Sequence, residues 1–210
     1  WESFVNSLPT HLTSVFREEH HFDILREHLQ KRRAAAAMTI WCSASSTGEE
    51  PYSIAMTAVE TFDSFTPPVK IIATDLDTNV LEHAGNGVYS ADVVSRLKPE
   101  RLRRFFTLQP DGSAKVKPEL RAMITFRQLN LIENNWSIRG PFEAIFCRNV
   151  MIYFDKPTQS AILKRFAPML HANGLLFAGH SENFFHAADL FRLRGKTVYE
   201  LTSTSQARLE

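Results

Sequence analysis

Cysteine is nearly missing from this chain of 210 residues, and the two that occur, Cys42 and Cys147, both fall in apolar runs that read as strands. That pattern suits reduced, buried thiols and excludes the disulfide framework of a small secreted domain, so a cytoplasmic protein is expected. Also lacking is any stretch near the ~18 apolar residues that a membrane-spanning helix needs. The N-terminus has no basic-then-apolar layout of a signal peptide, and membrane insertion is not expected. A surplus of charge is missing too: 24 Lys and Arg stand against 23 Asp and Glu, a net of +1. No global field therefore draws the protein onto nucleic acid or anionic lipid, and any partner must be met by local patches. The start, WESFVNSLPT, has no initiator Met and reads as beginning inside an element, while Leu209 and Glu210 read as a cloning remnant, so a trimmed chain is expected.

What is present is ordinary globular material, 44% hydrophobic and 22% charged, enough for one substantial core. Phe22, Leu25 and Leu29 recur at helical spacing and lead into the basic cluster Lys31, Arg32 and Arg33, which predicts an amphipathic helix. MTIWCSA (38–44) reads as a strand followed by a small-residue loop and a helix on Ile54, Ala55, Ala58, Val59 and Phe62. VKIIATD (69–75) repeats that form with a helix through Val80 and Leu81. Two successive strand-helix units imply a parallel sheet. Between about Gly87 and Met123 the rhythm breaks, and Pro99, Pro110, Gly112 and Pro118 punctuate short basic segments. An inserted subdomain is expected there, with QPDGSA turning a hairpin. The parallel rhythm resumes with ITFRQLN, EAIFCRN, a helix from near Pro157 to Asn173 and Gly174, and GLLFAGH; FRLRGKTVYELT adds a terminal hairpin turning on Gly195. The sum is an open, twisted α/β sheet whose ligand belongs beyond the carboxyl ends of its strands.

Polar residues gather at those ends: Ser45 to Glu50, then Asp75 and Asp77, then Asn130, then Arg148 and Asn149. Each alone is equally a helix cap or turn residue. The first loop is more informative. A dinucleotide site puts several glycines here so that backbone N–H groups can reach a pyrophosphate. This loop has one, Gly48, followed by Glu49 and Glu50, which repel phosphate but suit a ligand bearing ammonium and sulfonium charges. Either acid can instead complement the helix dipole, worth ~0.5 kcal/mol when exposed; Glu50 is the one expected to meet the ligand. Asp75, ending its strand, suits ribose hydroxyls, and Asp77 suits a helix cap. His20, His21 and His180 lack the spaced partners of a zinc site, so no metal is expected. Cys147 reads as core rather than nucleophile.

The runs SSTGEEPYSIA, ATDLDTNVLEHA, GPFEAIFCRNVMIYFDK and LLFAGHSENF resemble the chemotaxis receptor methyltransferase family, CheR, over about Leu12 to Leu201. The resemblance implies a class I methyltransferase: a Rossmann-like, mostly parallel seven-stranded sheet with helices on both faces. It further implies a remnant of an N-terminal helical subdomain (1–33), a core (34–88 and 123–208) and an inserted β subdomain (89–122). By position it assigns contacts with S-adenosyl-L-methionine to His11, Thr13, Arg17, Glu50, Asp75, Asn130, Leu131, Arg148 and Asn149; His11 stands where relatives often have Asn.

The implied reaction converts receptor glutamates to methyl esters and leaves S-adenosyl-L-homocysteine. A solvated glutamate, with a pKa of about 4.3, is already an anion at neutral pH and needs no general base. The chain must instead hold oxygen and methyl in line and exclude water. Arg17 and Tyr153 are the candidates for orienting the carboxylate, although Tyr153 also reads as a core aromatic in VMIYF. Arg17 pressed on the attacking oxygen would blunt it, so positioning suits it better than activation. The basic runs Lys31 to Arg33 and Arg96 to Arg104 could meet acidic receptor helices. Some family members grip a receptor's C-terminal pentapeptide by strand addition; the turn QPDGSA looks shorter and less glycine-rich, which weighs against that tether here. A monomer is expected. Two rivals remain: a methyltransferase for nucleic acid or a small molecule, weakened because Val150 and Met151 follow Asn149 where an Asn-Pro-Pro-aromatic motif would stand, and a non-catalytic S-adenosylmethionine-binding module.

Overall fold

The computed structural model describes residues 13–35 and 37–207. In chain order these form α1 (His20–Lys31), β1 (Met38–Cys42), α2 (Glu49–Phe62), β2 (Val69–Asp75), α3 (Thr78–Asn86), β3 (Val88–Tyr89), the short helices α4 (Ala91–Val94) and α5 (Pro99–Phe105), β4 (Phe106–Leu108) and β5 (Ala114–Val116). There follow α6 (Pro118–Ala122), β6 (Ile124–Gln128), β7 (Phe142–Cys147), α7 (Lys156–Phe166), β8 (Leu170–Ala178), β9 (Phe191–Gly195), β10 (Val198–Leu201) and α8 (Ser203–Gln206).

Seven strands make one sheet in the order β6-β2-β1-β7-β8-β10-β9. Neighbours from β6 to β8 run parallel, and β10 pairs antiparallel with both β8 and β9. This is the mostly parallel, Rossmann-like sheet that the resemblance implies, with the expected terminal hairpin at one edge. A separate antiparallel sheet, β3-β5-β4, occupies the punctuated segment. Its hairpin closes where QPDGSA predicts: Gln109 N–H donates to Ser113 O (2.8 Å), and Gly112 adopts a φ of 85°.

Central strands are buried on both faces, so period-two alternation sorts residues between two cores rather than between core and water. Ile40, Cys42, Phe146 and Phe177 join the core under α1 and α2. Trp41, Ile145 and Leu176 join the core under α7. One expectation needs correction. The helix starting near Pro157 ends at Phe166, not at Asn173 and Gly174, which lie inside β8. Pro168 cannot donate the backbone bond that continues a helix, and Ala167–Met169 is a single 3-10 turn into the strand.

α1 presents Phe22, Leu25 and Leu29 to the sheet as their spacing predicts. Phe22 stacks on Phe146 at 5.9 Å, and Phe146 on Phe177 at 4.2 Å. At the far end of α1, His28 and Arg32 bond one oxygen of the buried Glu143 on β7, at 2.7 and 2.9 Å. Burial alone would raise the Glu143 pKa, but the bond and charge of His28, joined by Arg32, outweigh it and hold the carboxyl below its ordinary value.

His21 is fully buried, edge-on to Phe177, with Nε2 2.9 Å from Lys196 O. Burial, only partly opposed by that bond, pushes its pKa down to about 4. The unfolded chain binds this proton near the ordinary histidine value of about 6.5, while the folded chain refuses it. Stability should therefore be full above about pH 6.5, fall progressively toward about pH 4 and level off in this contribution below that. Urea unfolding across that range should show the decline in the wild type, and His21→Gln should flatten it while lowering stability at neutral pH.

Candidate active site at the carboxyl ends of the parallel strands

The carboxyl ends of β1, β2, β6, β7 and β8 open toward one edge, where a strap of residues 13–19 crosses in front of α1. Each strand delivers one polar segment there. β1 leads through Ser43–Gly48 into α2. The turn depends on Gly48, whose φ is 100°; a Cβ at this position would lie 2.7 Å from the Tyr89 hydroxyl and 2.9 Å from Ala84 Cβ. Tyr89 Oη in turn donates to Thr47 O at 2.7 Å, so the small sheet supports the first loop.

The strap is fixed by polar contacts rather than by regular structure. Phe16 N–H donates to Ser53 Oγ at 2.9 Å, His180 N–H donates to Glu18 Oε1 at 2.7 Å, and Arg148 Nη2 donates to Arg17 O at 2.5 Å. Phe16 and Glu18 have φ of 57° and 56°. Two consecutive strap residues thereby reach the same guanidinium, since Glu18 Oε2 also lies 3.1 Å from Arg148 Nη2.

Arg148 is the centre of the site. Its side chain is 2% exposed, Glu50 Oε2 is 3.2 Å from its Nε, and its guanidinium faces the Phe22 ring at 5.6 Å. Glu50 approaches off the N–H axis, so Arg148 Nε and Nη1 have no hydrogen-bond partner among the described residues. The two acids respond differently. Burial raises Glu50 and Arg148 only partly offsets it, leaving the carboxyl above its ordinary pKa. For Glu18, burial is outweighed by Arg148, the His180 amide and the neighbouring histidines, and the carboxyl is held low. Cys42 Sγ donates to Glu50 Oε1 at 3.1 Å, and burial pushes that thiol well up, followed by the effect of Glu50. Both cysteines are free and buried.

The remaining expected residues sit at or beyond the ends of the neighbouring strands or on the strap. Asp75 accepts Ser46 N–H on one oxygen (2.8 Å) and Asp77 N–H on the other (3.1 Å). Burial, opposed by those amides and that of Leu76, raises its pKa. Asp77 caps α3 through Asn79 N–H at 2.8 Å. Glu49 is turned back onto Thr47, whose hydroxyl donates to it at 2.7 Å. Thr13 lies 3.4 Å from Thr47, hydroxyl to hydroxyl. Asn130 uses its carboxamide on its own turn, accepting Ile132 N–H at 3.1 Å, beside the buried Leu131. Asn149 follows Arg148 with a φ of 59°. Tyr153 sits on the 3-10 turn Met151–Tyr153 and is 45% exposed, so it is not the core aromatic that VMIYF also allows. His11 lies outside the described residues.

Two residues of this site carried no weight in the sequence. Glu18 followed Arg17 as one of two ordinary acids, yet it closes the strap onto Arg148 and onto His180 Nδ1 at 3.0 Å. Glu182, in GHSEN, is 5% exposed and accepts backbone N–H groups from the Asn149–Ile152 turn. Apart from His21, 3.6 Å from Glu18 and three residues on, the partners stand 130 and more residues away or are backbone amides, which leaves little spacing signal.

Residues 11–200 match the family described as CheR methyltransferase, SAM binding domain. The chain is 53% identical over 203 residues to chemotaxis protein methyltransferase 2 of Pseudomonas aeruginosa, covering 93% of this chain and 71% of that one. It is 49% identical over 205 residues to the chemotaxis protein methyltransferase of Escherichia coli (96% and 71% covered), and 48% over 205 residues to that of Salmonella typhimurium (96% and 70% covered). With the match spanning the strap, Glu50, Asp75 and the Arg148–Tyr153 turn alike, this chain belongs to the CheR methyltransferase family.

Proposed function

We propose that this chain transfers a methyl group from S-adenosyl-L-methionine to glutamate side chains of chemoreceptors, forming methyl esters and S-adenosyl-L-homocysteine. The observation that carries this reading is the buried pair at the strand ends: Arg148 has two nitrogens without hydrogen-bond partners, and beside it stands Glu50, whose carboxyl is held up by burial. One cationic group with unpartnered nitrogens and one buried anionic group a few ångströms apart complement the carboxylate and ammonium of an amino-acid end. Asp75, at the end of β2, complements a ribose diol. Thr13, Arg17, Asn130, Leu131 and Asn149, with His11, complete the cofactor contacts in this reading. When bound, S-adenosyl-L-methionine supplies an electrophilic methyl group on a sulfonium.

The chain's own task is then orientation. A receptor glutamate arrives already ionised, so no residue has to take a proton from it. Tyr153, exposed beside the Arg148 turn, offers its hydroxyl to one carboxylate oxygen. Arg17, on the strap, steers the carboxylate in this reading. It lines a cleft of about 400 Å³ together with Arg96, Lys98 and Arg101. Arg101 is already bound by Glu60 at 2.7 and 2.9 Å, which leaves Arg17, Arg96 and Lys98 as the cations that meet an acidic receptor helix. The run Lys31 to Arg33 is less suited, because Arg32 is committed to Glu143 and Arg33 lies over the Phe62 ring. Pentapeptide tethering forms no part of this reading. No described helix is long and apolar enough to cross a membrane, and with both thiols free we assign the reaction to the cytoplasm.

The deciding experiment is incubation with labelled S-adenosyl-L-methionine and receptor, followed by alkali. Only a carboxyl methyl ester releases methanol; label retained through alkali would contradict the glutamate assignment. Arg17→Ala and Tyr153→Phe should each lower receptor turnover by about a hundredfold through lost orientation; cofactor Kd should stay close to wild type in Tyr153→Phe and rise but remain measurable in Arg17→Ala, which also loses a cofactor contact. Unchanged turnover in both variants would remove them from the catalytic role. Glu50 gives a pH dependence. Because its pKa is raised, it takes up a proton at higher pH than the ordinary value of about 4.3, and the protonated form no longer attracts an ammonium. Calorimetric cofactor affinity should decline as pH falls, and the decline should begin at a higher pH than an exposed glutamate would give. Glu50→Gln should bind about tenfold more weakly at neutral pH and show no such decline.

A further inference from the structure

Glu182 takes no part in the function described above, yet it is the most heavily hydrogen-bonded carboxylate among the described residues. It projects from the turn after β8 and is 5% exposed. Its Oε2 accepts Asn149 N–H at 2.9 Å and Gly179 N–H at 2.6 Å. Its Oε1 accepts Val150 N–H at 3.0 Å and Met151 N–H at 2.8 Å, with Ile152 N–H at the limit, 3.4 Å. A neutral side chain has too few lone pairs, and too little charge, to satisfy so many buried donors at once.

The opposite side of the same turn is held as well. Gln159, buried on α7, donates Nε2 to Met151 O at 2.8 Å and to Phe154 O at 2.9 Å. The turn is thus clamped by a carboxylate on its amides and a carboxamide on its carbonyls. At its start Asn149 is bent to a φ of 59°, the left-handed region that asparagine tolerates better than most residues with a side chain. Gly179 makes room for that bend: a Cβ there would lie 2.6 Å from Asn149 Nδ2. Asn149 belongs to the cofactor half of the proposed site, and Tyr153, four residues on, belongs to the receptor half.

We propose that Glu182 is a positioning residue that sets the two halves of the site with one carboxylate: Asn149 toward the cofactor and Tyr153 toward the receptor glutamate. This rests on the methyltransferase reading for its functional consequence, but the clamp itself is a property of the free protein. Replacing Glu182 should therefore damage cofactor binding and turnover together, whereas Tyr153→Phe should damage turnover alone.

The test is Glu182→Gln, which keeps the volume and one acceptor oxygen but turns an NH2 toward backbone donors. Hydrogen exchange of the free variant should speed up by about tenfold or more at Asn149, Val150, Met151 and Gly179, the amides that lose an acceptor. The amides of β1 and β2 should keep wild-type protection. In the same variant, cofactor Kd should rise and receptor kcat should fall, each by about tenfold. Wild-type exchange, Kd and kcat in Glu182→Gln would reduce Glu182 to a space filler and overturn the proposal. Protection lost equally across β1 and β2 would also overturn it, as the mark of a general stabiliser. Should Glu182→Gln fail to fold, Gly179→Ala, which keeps the backbone N–H that the carboxylate holds but crowds Asn149, must weaken cofactor binding; unchanged Kd would overturn the proposal. A wild-type chain that neither binds cofactor nor methylates receptor would refute the methyltransferase reading, and the exchange pattern would then still decide the clamp.

Discussion

A guanidinium buried to 2% exposure has to be neutralised where it stands, and Arg148 is neutralised from two directions. Glu18 reaches it from the strap ahead of α1, and Glu50 from the first turn of α2, at 3.1 and 3.2 Å. The strap has no regular structure of its own to place it. Its position follows from this charge and from the backbone bond that Arg17 O accepts from the same side chain. The site's opening, its cationic rim and the entry of α1 into the core all depend on that arrangement.

A second ion pair makes the first intelligible. β7 carries Glu143 near its start and is followed directly by Arg148. α1 is preceded by Glu18 and followed by Arg32, which reaches back to Glu143. The helix therefore lies antiparallel along the strand with a charge tie at each end and the Phe22–Phe146 stack between them. An apolar stripe alone would allow the helix to slide by a turn. Two buried ties of opposite polarity select one register, because any slip strands a charge away from water.

Support for the site comes from outside the main sheet too. The small sheet lends Tyr89 to the first loop and leaves Arg96 and Lys98 on the far wall of the cleft that Arg17 lines. The insertion thereby supports the loop after β1 and lines that cleft. On the other side, Glu182 and Gln159 hold the turn between Asn149 and Tyr153. The proposed site residues thus sit on loops, but each loop is fixed by a residue from a different element, which is how irregular backbone can keep a defined geometry.

Much of this was legible beforehand. Alternating apolar runs and their punctuation predicted the parallel strands, the inserted hairpin at QPDGSA and the terminal hairpin, because burial and turn chemistry act on neighbours in the chain. The glycine-poor loop with Glu50, the strand-terminal Asp75 and the motif around Arg148 marked the crevice for the same reason. The end of α7 was misjudged because Asn173 and Gly174 are stronger stop signals by composition than the 3-10 turn at Pro168 that in fact ends it. What only the tertiary structure decided is which charges share a partner. Glu18 with Arg148, Glu143 with Arg32, and Glu182 with four or five amides join residues with no common spacing, and nothing in a local window separates such an acid from its solvated neighbours. Sequence determined where strands end and so where a site must be; only folding, by making burial compulsory for particular charges, decided which residues hold it in shape.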